Sequence, residues 1–358
     1  MGVVRVAYTL EQCWHDAPGG TAVAAIEIAR RLAPRDDVTL VGVAGRHRAA
    51  PGPDWRAPIP VAQLPLPRPL LYEAWLRVRR PRVEEVTGPV HLAHATGLVP
   101  CPSRSPLVVT VHDVAWIHEP GRYTRQGLRV MRRSLDVIRD VARVVVTSSQ
   151  ASKRDLEACG IEPARIRVVP LGVDHAPASA ADVAAVRQRY QLPARFVLFL
   201  GTHEPRKNLR RLAAAVPRAS GGLPLVIAGL AGWGDATAGI GDAARFLGVV
   251  PAADLPALYA AATVFAYPSE AEGFGLPVLE AMAQGTPVVT SRGTSTEEVA
   301  GGAAVLVDPF DVDAIAAGLD EATCRGDELA GAGRRRAATM TWEAAAQRTM
   351  AVYGEVLT

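Results

Sequence analysis

At 358 residues, 49% of them apolar, the chain is longer than one ordinary domain and rich enough in apolar side chains for two cores. A net charge of +3 and an aromatic content of 5% exclude the strongly basic, stacking-rich surface of a nucleic-acid binder. No window approaches about 18 uninterrupted apolar residues, which excludes a membrane-spanning helix.

In chain order, VVRVAYTL (3–10) predicts a strand, and Gly19 and Gly20 open the amphipathic helix TAVAAIEIARRL. Strands follow at 38–44, 106–114 and 143–149, then a helix from Ser152 to about Cys159, and RIRVVPLGVD (165–174) leaves the first half. The pattern then restarts. Strands are expected at 195–201, 223–229, 244–250, 263–269, 286–291 and 303–308, with helices at 208–216 and 277–285. Apolar strands alternating with helices predict parallel, doubly wound sheets covered on both faces. The repeat predicts two Rossmann-like α/β domains, 1–172 and 173–340, facing an interdomain cleft, and a last helix in 341–358 that crosses back to the first domain. Ligands of such sheets bind at the carboxyl ends of strands.

Cys13, Cys101, Cys159 and Cys324 have neither CxxC nor zinc-finger spacing, so buried free thiols in a reducing cytoplasm are expected. The first fourteen residues carry no long apolar stretch with a small-residue cleavage site, so no secretory signal is expected. No DxD stands at a strand end, and no metal is expected to be required.

Four segments carry chemistry. In PSEAEGFGLPVLEAMAQGTPVV (268–289), Gly273 and Gly275 strip side chains from a loop before a helix that begins near Pro277. Helix N-termini favour anions. Glu272 in the loop and Glu280 one turn into the helix would flank a diphosphate there, one toward a sugar and one toward a ribose. In GTHEPRKNLRRL (201–212), Gly201 ends a strand and Arg206 and Lys207 precede a helix, a pair of cations suited to a diphosphate leaving group, although a solvated basic helix start reads the same way. In VTVHDVAW (109–116), His112 is either a packed core histidine or a group facing substrate, with Asp113 beside it. In APGGTAVAAIEIARRL (17–32), the two glycines lack a full GxGxxG, which counts against a dinucleotide oxidoreductase.

EGFGLPVLE (272–280) matches the E-x7-E signature of retaining GT-B glycosyltransferases, and the surrounding VFAYPSEAEGFGLPVLEAMAQGTPVVTS is similar to the consensus of glycosyltransferase family four. The resemblance implies that Glu272 contacts donor-sugar hydroxyls and Glu280 the ribose, while Phe274, Gly275 and Leu276 offer backbone amides to sugar and phosphate. It implies that Arg206 and Lys207 neutralise the departing nucleoside diphosphate, Lys207 being the stricter match, since Gly201–Thr202 stands where many members have Gly-Arg. His112 would contact the donor sugar, and Gly19 and Gly20 would close over the phosphates. FLGVV (246–250) resembles the segment whose backbone reads the nucleobase, at Gly248 and Val249. STEEVAGGAAVLVDP and Trp342 to about Tyr353 match later parts of the pattern, while residues 45–90 match it poorly.

The implied activity is transfer of a hexose from a nucleotide sugar to a glycan or lipid-linked acceptor, by front-face substitution with retention. GDP-mannose is the first candidate donor, with UDP-glucose and UDP-N-acetylglucosamine open. A sugar-nucleotide epimerase or a non-catalytic nucleotide-sugar sensor on the same fold are the other readings. Arg77, Arg79, Arg80 and Arg82, and then Arg125, Arg129, Arg132 and Arg133, form basic runs in the first domain. They are either solvated helix faces or a peripheral patch for anionic lipid, which would place a cytoplasmic protein at the inner face of the plasma membrane.

Overall fold

Valine, leucine, isoleucine and phenylalanine dominate the inner strands because helices cover both faces of each sheet and bury most of their side chains, whereas the edge strands Val61–Gln63 and Ala244–Gly248 hold no buried residue. In the computed structural model residues 2–174, 176–232, 234 and 236–358 are described, Asp242 by its backbone alone. They form two units, Met1–Leu171 with Trp342–Thr358, and Gly172–Thr341.

Unit 1 holds β1 (Val4–Thr9), β2 (Val38–Ala44), β3 (Val61–Gln63), β4 (Leu92–Ala95), β5 (Leu107–Thr110), β6 (Val144–Thr147) and β7 (Ile166–Val168). All pairings are parallel and the order is β3-β2-β1-β4-β5-β6-β7. Its last helix, Trp342–Leu357, buries Trp342, Val352, Tyr353 and Val356 and packs against helix Gly19–Leu32 and β4.

Unit 2 holds β8 (Val197–Leu200), β9 (Leu225–Ala228), β10 (Ala244–Gly248), β11 (Val264–Tyr267), β12 (Val288–Ser291) and β13 (Val305–Val307), parallel, in the order β10-β9-β8-β11-β12-β13. In both sheets the chain winds outward from the first strand, returns, and winds the other way. This is a doubly wound Rossmann-like topology, with its switch point between β1 and β4 in unit 1 and between β8 and β11 in unit 2.

Several expected strands are shorter. Those at 106–114, 223–229 and 286–291 begin only after Pro106, Pro224 and Pro287, which have no N–H to give a ladder. The first of them also ends at Thr110, not at 114. Val111 N still bonds Val146 O at 2.8 Å, but Asp113 Oδ1 then accepts from Ala115 N at 3.1 Å and turns the chain. His112 and Asp113 therefore lie in the loop beyond β5. The helix expected from Pro277 begins at Leu276, with the proline second. Cys13 and Cys101 are buried thiols, but Cys324 is exposed, contrary to expectation, at the end of helix Val312–Cys324 where no core covers it.

Candidate functional site

The switch point of unit 2 assembles the charged centre. After β8 the chain reaches Gly201, and Gly229 at the end of β9 comes so close that a Cβ there would sit 2.1 Å from Gly201 O. Pro205–Lys207 form one tight turn, ended by Asn208 in the left-handed region with φ 61°. Asn208 Nδ2 donates to Pro268 O at 2.9 Å and Pro309 O at 2.6 Å, which ties the β8 loop to the loops after β11 and β13. Glu270 N donates to Arg206 O at 2.8 Å across the same seam.

Between these loops Glu272, with 8% of its side chain exposed, accepts from Lys207 Nζ at 2.5 Å, Ser269 Oγ at 2.7 Å and Arg206 Nη1 at 2.9 Å. Arg206 Nε in turn binds Glu204 Oε2 at 2.8 Å. Lys207 Nζ also bonds the Tyr267 hydroxyl, and Tyr267 stacks between Phe199 and Phe265. Two carboxylates and two cations thus balance in a nearly closed site. Burial pushes the Glu272 carboxyl up, but Arg206 and Lys207 outweigh it and carry the pKa down to about 2. Burial, helped by Arg206, pushes Lys207 below the usual ammonium range while Glu272 and Glu204 oppose it.

Beyond Glu272 the loop enters helix Leu276–Ala283 through Gly275, at φ 102°, where a Cβ would meet Thr296 Cγ2 at 2.7 Å. Phe274 and Leu276 are buried, and Ser295 Oγ donates to Glu272 O at 2.7 Å, anchoring the loop from helix Ser295–Ala300. In the first turn Pro277 has no N–H and Val278 N already bonds Gly275 O at 3.0 Å, so any free amides for an anion lie at Leu276 and in the preceding loop. Glu280 sits on this helix and accepts from Tyr259 Oη at 2.8 Å. Gly248 ends β10, two strands from β8, and Val249 follows it, 63% exposed.

In unit 1 His112 lies past the end of β5. Burial pushes its pKa down, with Asp113 and the Thr96 backbone opposing. Its Nε2 is buried and has no hydrogen-bond partner among the described residues. Below it runs a network absent from the sequence reading: His94 in β4 bonds Tyr353 Oη through Nδ1 and Thr110 Oγ1 through Nε2, each at 2.7 Å. Gly19 and Gly20 are exposed at the start of helix Gly19–Leu32.

The basic runs are not uniform. Arg79 turns inward to the carbonyls of Trp75 and Pro100, and Arg77 pairs with Glu73 at 2.9 Å. On helix Arg125–Val141, Arg125, Arg129, Arg132 and Arg133 line a shallow hollow with Leu128 and Asp136. Among the described residues no helix is long and apolar enough to cross a membrane. Nor does any group of three or more His, Cys, Asp or Glu among them gather to hold a metal ion.

Arg206, Lys207 and Glu272, each marked by its local sequence, come into contact in the structure, whereas nothing local in the sequence marks Glu204, Tyr259, Tyr267 or Ser269. The partners of Lys207 lie 60 and 65 residues away, beyond any local pattern.

Residues 18–177 match the family described as "Glycosyltransferase Family 4", and residues 194–323 match "Glycosyl transferases group 1". The O-antigen chain mannosyltransferase B of Escherichia coli is 39% identical over 266 residues, 69% of this chain and 69% of the relative. The D-inositol 3-phosphate glycosyltransferase of Acidothermus cellulolyticus is 33% identical over 338 residues, 82% of this chain and 75% of the relative. The structure of Anabaena HepE in complex with UDP and glucose superimposes with a TM-score of 0.74 at 20% identity, covering 98% of this chain and all of that one, a likeness of the GT-B fold.

Proposed function

The chain belongs to glycosyltransferase family 4, and from that premise we propose that it moves a hexosyl group, mannose first, from a nucleoside-diphosphate sugar to a hydroxyl of a glycan or lipid-linked acceptor, with retention. The observation that carries this reading is the contact of Glu272 with both Arg206 and Lys207 at the switch point of unit 2. The mannosyl donor, GDP-mannose, is supported by the similarity to a mannosyltransferase.

In the proposed reaction the bond between C1 and the diphosphate oxygen breaks as the acceptor oxygen bonds C1 from the same face. The acceptor proton passes to a phosphate oxygen, and the nucleoside diphosphate leaves. Arg206, Lys207 and the amides around Gly275 stabilise the charge that grows on the diphosphate. Glu272 accepts from sugar hydroxyls and Glu280 from the ribose. His112 Nε2, which lacks a partner among the described residues, is the atom that would bond a sugar hydroxyl. With two cations at the leaving group, we assign no role to a divalent metal.

The test pairs a thermal-shift screen of GDP-, UDP- and ADP-sugars with transfer assays in EDTA. The donor raises the melting point by mass action. Lys207→Ala lowers kcat by roughly 10²- to 10³-fold, the usual cost of losing one stabiliser of developing negative charge. Wild-type turnover in that variant sinks the assignment. Isomerisation of the sugar nucleotide without acceptor would establish the epimerase instead.

A further inference from the structure

Tyr259, on helix Leu255–Ala261, is 1% exposed and held on three sides. Its ring meets Phe265 edge-on, with centroids 5.2 Å apart and planes at 77°. Its carbonyl accepts from Thr286 Oγ1 at 2.7 Å. Its hydroxyl donates to Glu280 Oε2 at 2.8 Å. Burial, and then the charge of Glu280, push the phenol well above its usual pKa, so it stays a donor to the carboxylate.

A glutamate on a helix has three side-chain torsions, and a ligand that must order them itself binds more weakly for it. A rigid donor on one carboxylate oxygen does that ordering beforehand. We propose that Tyr259 is a positioning residue for the donor nucleotide, orienting the Glu280 carboxylate to accept from the ribose hydroxyls. The proposal rests on the reading of Glu280 as the ribose ligand.

The experiment measures Kd by calorimetry for GDP and UDP, each against its 2′,3′-dideoxy analogue. The ratio of the two Kd values is the ribose increment. In Tyr259→Phe the increment falls by about 3- to 10-fold, the worth of one hydrogen bond at the site, and the donor KM rises by a similar factor while kcat falls by less. Thr286→Val removes the bond to the Tyr259 carbonyl but leaves the phenol–carboxylate pair, and it retains the wild-type increment. An increment lost equally in Thr286→Val assigns the effect to packing and overturns the proposal. A wild-type increment in Tyr259→Phe beside a lost one in Glu280→Gln also overturns it, while the ribose reading stands. A wild-type increment in Glu280→Gln removes the ribose reading itself, and the proposal with it.

Discussion

The Glu272 carboxylate lies where Lys207 and Arg206 can both grip it, and a bound diphosphate would ask for the same two cations. An anion arriving there meets an anion already in place. Removing that charge while keeping the shape, in Glu272→Gln, should tighten binding of free GDP by roughly 3- to 10-fold, since a like charge a few ångströms away is removed. The same substitution should lower transfer by about 10²-fold, because the amide cannot accept from sugar hydroxyls as a carboxylate does. Calorimetry and initial rates check both halves. Weaker GDP binding would mean that the carboxylate organises the cations and does not compete for them. At this scale the sequence was legible where chemistry is local: E-x7-E and P-R-K-N each lie in one short segment. It was silent on Glu204, Ser269 and Tyr267, which are ordinary residues until folding closes the β8 loop onto the β11 loop.

Strands bounded by turns and built of valine and leucine could be read directly, and β2 falls on its expected residues 38–44. The strands β3, β4 and β7 were not: Gln63, His94 and Arg167 interrupt the apolar run by which the equally short β13 could be recognised. Helix Arg125–Val141 shows what periodicity alone leaves undecided. Its buried face carries Leu135, Val137 and Ile138, and five arginines on it, Arg125, Arg129, Arg132, Arg133 and Arg139, are exposed. Arg129 is partly neutralised by Glu73 at 2.9 Å, while Arg125 and Arg132 extend the positive surface around the hollow. We propose that this face meets anionic lipid headgroups. Vesicles of phosphatidylglycerol and phosphatidylcholine should co-sediment the protein at low salt. Since each basic side chain near such a surface contributes about 1 kcal/mol, Arg125→Glu with Arg132→Glu should weaken binding at least tenfold. Wild-type protein left in the supernatant at low salt would assign the arginines to solvation alone.

Over the whole molecule, buried histidines set the response to acid, and they gather in unit 1. Burial, then His112, pushes His94 down to about 3, and burial, then Arg68, pushes His15 down to about 4; His112 is pushed down by burial as well. In an unfolded chain these imidazoles titrate near 6.5. Below that pH the unfolded state takes up protons that the folded state refuses, so unit 1 loses stability as pH falls from 6.5 toward 4. In unit 2 His203 contributes to the same window, again through burial. Glu272 acts in a lower one: with its folded pKa near 2, its contribution is complete above 4.5 and is lost between 4.5 and 2. Of the 6 tryptophans all but Trp233 belong to unit 1, so indole fluorescence reports that unit. Its thermal midpoint should fall by about 4–10 °C from pH 7 to pH 5, as a loss of a few kcal/mol implies for a unit of this size. His94→Gln offers Tyr353 and Thr110 an amide that does not titrate. It should lower the midpoint at pH 7.5 and flatten its decline between pH 6.5 and 5. A variant as acid-sensitive as the wild type would remove His94 from this account and leave His15 and His112 to carry it.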